Sequence, residues 1–109
     1  MTDAVEIVLT GPAGFIQAHC RHLVENRLVA CAQIVLVEST YRWQGEVEKD
    51  SEARAALHTL RSNVTVVSRH TRETHPYDTP CIIVLPILDA DRDYLEWITE
   101  SVIADERTP

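Results

Sequence analysis

Between Leu28 and Glu48 the chain runs LVACAQIVLVESTYRWQGEVE. Val29, Ile34, Val35, Leu36, Val37, Thr40, Tyr41, Trp43 and Val47 are β-branched, aliphatic or aromatic, and they predict one long strand. Gln44-Gly45 is the first place where this strand can turn, with glycine supplying the positive φ of a tight hairpin. A hairpin with arms this long presents edges that need covering. The return arm is ambiguous. SEARAALHTL, Ser51 to Leu60, has alanine-rich helix propensity. It also splits into Ala53, Ala55, Leu57 and Thr59 on one side and Glu52, Arg54, Ala56 and His58 on the other, as a strand would. Local sequence leaves both readings open.

The remaining segments are plainer. AVEIVLT, from Ala4, predicts a strand. GPAG ends it and offers Pro12 as a first helical residue. Phe15, Ile16, Cys20, Leu23, Val24 and Leu28 then recur at helical spacing, with His19, Arg21, His22, Glu25 and Arg27 flanking or opposing that stripe. Ser62 or Asn63 caps a second helix that runs to about His75, with Val64, Val67 and Thr71 on one side. Pro76 stops it there, because proline disfavours the α conformation in the residue before it. CIIVLPI is a strand ending near Pro86. The acids of DADRDY offer N-caps for a last helix carrying Leu95, Ile98 and Val102, with Tyr94 and Trp97 beside them. The order β-α-β-β-α-β-α predicts an α+β fold, a ferredoxin-like split βαβ sandwich forming a single domain over residues 1–109.

The 17 acidic and 10 basic residues among 109 give a net charge of -7, which repels phosphate backbones and argues against a nucleic-acid partner. The one local concentration of basic groups, Arg61, Arg69, His70 and Arg72, lacks interleaved aromatics and is read as a solvated helix face. No window reaches the ~20 apolar residues of a membrane span, and the N-terminus lacks a secretory pattern, so a cytoplasmic protein without membrane partners is expected. Cys20, Cys31 and Cys81 match no disulfide or zinc framework and are read as buried thiols in apolar segments.

ETHPYDTP, Glu73 to Pro80, sets an imidazole near two carboxylates in a stretch that holds two prolines. It suits a metal-ligand pair, a base with its orienting group, or a stiff turn. His19 and His22, three apart on one helix, are also spaced to chelate, but with no third ligand nearby they are read as surface histidines.

Taken together, LVENRLVACAQI, STYRWQGEVEKDSE, and HPYDTPCIIVLPI followed by DYLEWI resemble the CutA family of divalent-cation tolerance proteins, from Val8 to about Ser101. The Tyr-x-Trp-x-Gly hairpin and the His-Pro-Tyr turn carry most of the specificity. The resemblance implies a ferredoxin-like homotrimer in which hairpin arms pair between subunits. Ala53–Thr59 would then be a strand, and Tyr41, Trp43, His58 and Tyr77 would lie at an intersubunit cleft or interface. The chain departs from the family pattern at four places. His58 replaces a usual lysine, and Asp78 a usual glutamate. Thr10 and Thr74 stand where some members carry a cysteine and a histidine associated with copper. Of that copper set only His75 remains.

The resemblance implies a non-enzymatic trimer in divalent-metal tolerance, with weak copper or zinc binding through His75 and Asp78 and no organic cofactor. The alternatives are a small-ligand signalling module of the PII type, which follows from fold analogy alone, or a trimeric scaffold for partner proteins. An enzyme would need His75 with Asp78, or His58 with Glu52, as base and orienter, without any nucleophile or cofactor motif beside them.

Overall fold

The computed structural model describes residues 2–104. Along the chain these form β1 (Ala4–Gly11), α1 (Ala13–Glu25), β2 (Cys31–Trp43), β3 (Glu46–Leu60), α2 (Val64–Thr74), β4 (Ile82–Pro86) and α3 (Arg92–Ser101), with a 3-10 turn at Arg61–Asn63 leading into α2. The fold is α+β: one four-stranded antiparallel sheet, ordered β2-β3-β1-β4, with three helices.

The ambiguous return arm is strand. All of Glu46–Trp43 through His58–Cys31 pairs with β2, and Ala53 to Leu60 also pair with β1. Two neighbouring strands satisfy the backbone on both sides, which outweighs alanine's helix preference. The alternation decides the faces. Ala53, Ala55, Leu57 and Thr59 are all buried, together with Val5, Ile7 and Leu9 of β1. Against them pack Ile16, Cys20 and Leu23 of α1 and Val66 and Val67 of α2, forming the main core. On the other side, Ile98 and Val102 close a smaller cluster with Ala4 and Ala30.

Turns are set by a few residues. Gln44 and Gly45 have φ of 51° and 82° between paired Trp43 and Glu46, so the hairpin closes in a two-residue turn with both φ positive. Arg27 also has a positive φ, 58°, just past the end of α1, where glycine is the usual choice. Its guanidinium donates to the carbonyl oxygens of Ser101 (3.0 Å) and Glu100 (2.9 Å), so a cation neutralises the C-terminal end of α3. Asp91 caps the other end of α3 by accepting from the backbone N–H of Asp93 and Tyr94.

Several sequence expectations shift. Pro12 is the N-cap of α1 rather than its first helical residue, and Leu28 lies beyond the helix although it still packs on the core. Cys20 is buried, with its thiol pushed up to about 11 by desolvation, whereas Cys31 and Cys81 are half-buried. His19 is not a surface residue. It is 5 % exposed, because α2 packs across it.

Candidate functional site

An open cleft of about 740 Å³ lies between the outer part of the β2–β3 hairpin and the turn after α2. Ser39, Tyr41, Trp43 and Glu52 line it from the hairpin, Tyr77, Asp78 and Cys81 from the turn, and Thr10 from the end of β1. Register places these groups together. Antiparallel pairing sets Ser39 opposite Asp50 and Val37 opposite Glu52, so Ser39 and Glu52 are diagonal neighbours. The turn is held over them by its own chemistry. His75 ends α2 in an extended conformation and Pro76 lies outside the helix, as the two X-Pro steps predict.

His75 is 8 % exposed and both its ring nitrogens are engaged. Nε2–H donates to the carbonyl of Thr10 at 2.8 Å, and Nδ1 accepts from the backbone N–H of Tyr77 at 3.1 Å. The ring lies edge-on to Phe15 and close against Tyr77. Gly11 makes room for it, since a Cβ there would sit 2.8 Å from His75 Nε2. Within the chain, His75 therefore pins the turn to the end of β1. Asp78 is exposed on the cleft rim.

Beneath the rim, Glu52 is buried. It accepts from Ser39 Oγ–H (2.6 Å) and from Tyr77 O–H (2.9 Å), and no cation among the described residues lies within ion-pair distance of it. Tyr41 donates its hydroxyl to Asp50. Burial and the bond to Glu52 push the Tyr77 hydroxyl up to about 12; the bond to Asp50, above all, does the same for Tyr41. Both phenols thus stay protonated donors at neutral pH. Trp43 is exposed at the cleft's end.

His58 is not brought to this cleft within the chain. Its Nε2 meets Glu6 Oε1 at 2.9 Å, while its Nδ1 faces the Tyr94 hydroxyl and, at 3.7 Å, Cys31 Sγ. The pairing of His58 with Glu52 considered from sequence does not form, because six residues of the extended strand β3 hold them about 20 Å apart. The floor residue Glu52 was the one sequence reading underweighted. Alternation sets it on the side opposite the buried alanines, and its burial comes from contacts such as that with Tyr77, which the local sequence does not signal. Among the described residues, no group of three histidines, cysteines or carboxylates converges to hold a metal.

Residues 7–101 match the family described as CutA1 divalent ion tolerance protein. The chain is 36 % identical over 104 residues to the divalent-cation tolerance protein CutA of Pectobacterium atrosepticum, covering 94 % of each. It is 41 % identical over 80 residues to that of Thermus thermophilus, covering 72 % of this chain and 78 % of the relative. Among solved structures, CutA of Xylella fastidiosa superposes with a TM-score of 0.89 at 30 % identity, over 94 % of this chain and all of the other. A match of this extent in sequence, together with a superposition over 94 % of the chain, makes the chain a member of the CutA1 family.

Proposed function

We propose that the protein acts, without catalysis, in divalent-cation tolerance, as the names of its relatives state for them. The observation that carries this is Glu52, a buried carboxylate under an open cleft, hydrogen-bonded by two neutral hydroxyls and outside ion-pair distance of any cation among the described residues, Arg42 of the cleft wall included. An uncompensated carboxylate in a half-closed site attracts a cation. Asp78 on the rim offers a second oxygen ligand, and His75 a nitrogen ligand once it releases one of its two hydrogen bonds. That release has a cost, so copper or zinc binds weakly here.

The working unit in this reading is a homotrimer of ferredoxin-like subunits. Strand order β2-β3-β1-β4 supports the fold, and unpartnered apolar surface supports the assembly. Leu36 is 77 % exposed, Val47 65 % and Val35 55 %, all on the hairpin, and Ile83 and Leu85 are exposed on edge strand β4. Tyr41, Trp43 and Tyr77 then face a neighbouring subunit. Calorimetry with Cu(II) and Zn(II) on wild type, Glu52→Gln, Asp78→Ala and His75→Ala tests the site. Binding unaffected by all three substitutions refutes it. The cleft volume also lies within the usual range for small organic ligands, which keeps a small-ligand signalling role as the second reading. A thermal-shift screen of nucleotides separates the two.

A further inference from the structure

Away from the cleft, where α1 and α2 pack side by side, two histidines meet head to head. His22 Nε2 of α1 and His70 Nε2 of α2 are 3.2 Å apart, with ring centroids 4.8 Å apart. Two imidazole nitrogens bound to one tetrahedral Zn(II) at normal bond lengths are separated by about 3.3 Å. The pair is therefore already spaced as two ligands of one ion. His22 is exposed and His70 half-buried, so one side of the pair is open to solvent.

Without a metal, the pair leaves a proton badly placed. Asn26 Nδ2 donates to the His22 carbonyl at 2.8 Å and to His22 Nδ1 at 3.2 Å. A neutral His22 that accepts at Nδ1 carries its proton on Nε2 and donates it to His70 Nε2. His70 must then hold its own proton on Nδ1, which is buried and has no hydrogen-bond partner. That tautomer costs an unsatisfied donor, yet it is the one in which His70 Nε2 presents a lone pair.

We infer that His22 and His70 form a bidentate site for a late first-row divalent cation, Cu(II) foremost, clamping α1 to α2, with water completing the coordination. Neutral imidazole suits Cu(II), Ni(II) and Zn(II), and Cu(II) binds tightest of the three. The site stands on its own geometry and does not depend on the cleft reading. For both Nε2 atoms to ligate, the His22 proton must move to Nδ1, where Asn26 now donates. Asn26 thus opposes the ligating tautomer, and a carboxylate in its place would favour it.

The test is electron paramagnetic resonance of the full chain with substoichiometric Cu(II), read for nitrogen hyperfine couplings, alongside copper titrations. The expected signal has two imidazole nitrogens, persists in His75→Ala and Asp78→Ala, and falls to one nitrogen in His22→Gln and in His70→Gln. Asn26→Asp should tighten binding about tenfold. Because His22 is exposed, His22→Gln is the variant least able to disturb folding. A two-nitrogen signal that survives in His22→Gln, no such signal in wild type, or no tightening in Asn26→Asp overturns the assignment. A signal lost in Asp78→Ala but unchanged in His22→Gln would instead place the ion in the cleft.

Discussion

Lowering the pH should destabilise this protein through His19 before its carboxylates titrate fully. His19 sits between α1 and α2, stacked on Phe15, and its Nε2 is 2.8 Å from Thr71 Oγ1. Thr71 already donates its hydroxyl to the Val67 carbonyl, so it accepts from His19 Nε2–H. Burial first, then repulsion from His70, His22 and His75, lowers the His19 pKa from 6.5 to about 4. An unfolded chain takes up a proton at this position below pH 6.5, whereas the native chain refuses it until about pH 4. The unfolded state therefore binds more protons inside that window, and native stability falls as pH drops through it. It is fully present above pH 6.5. At roughly 1.4 kcal/mol per pH unit, the loss by pH 4 is about 3 kcal/mol. Denaturant unfolding at fixed protein concentration, from pH 7.5 to 4, measures it. His19→Gln keeps an N–H to offer Thr71 but cannot titrate, so its stability profile should be flatter by about that amount. Parallel profiles for the two proteins would refute the assignment of a proton-refusing His19.

Gly11→Ala should destabilise by about 1–3 kcal/mol, because the new methyl displaces the His75 ring from the Thr10 carbonyl; thermal melting reads this, and a neutral result would mean the turn is not pinned there. Arg27→Ala should cost about 1–2 kcal/mol through the lost bonds to Glu100 and Ser101, and Arg27→Gly less, since glycine accepts the positive φ without strain. Light scattering should give about three times the 12.3 kDa subunit mass at micromolar concentration, and Trp43→Ala should weaken that assembly by a few kcal/mol; one subunit mass for wild type would refute the trimer.

Fold was legible wherever periodicity and punctuation agreed. β1, β4 and α3 fall within a residue or two of their expected limits, because each has a single strong period bounded by proline, glycine or an acidic cap, whereas α1 stops three residues short of Leu28. β3 was the exception. Ala53, Arg54, Ala55, Ala56 and Leu57 satisfy both a helical propensity scale and a two-residue alternation, and only pairing with β1 and β2 decides between them. Small alanines at 53 and 55 also have a packing reason that propensity does not express. They face α1 and α2 from the middle of the sheet, with no exposed surface at all.

The histidines mark the limit more sharply. On α1, His19 and His22 lie three residues apart at the margin of the apolar stripe, and by pattern both belong to the polar side. What separates them is the position of α2, a tertiary fact. Thr71 reaches His19 and buries it, while His70, one residue earlier, meets His22 where solvent still enters. His75, four residues beyond Thr71 and just past the last helical residue, touches Phe15, which in turn stacks on His19. Four of the chain's five histidines are thus linked ring to ring through Phe15 along the seam between α1 and the α2 end. A turn histidine, a buried one and an exposed pair look alike as letters. They differ in which lone pair is left over once the neighbours have taken theirs. For His75 none remains, because Thr10 and Tyr77 use both nitrogens. At His70 the Nε2 lone pair is taken only by the His22 Nε2 proton, a hydrogen bond that a cation bound to both nitrogens would replace, whereas both partners of the turn histidine are backbone groups.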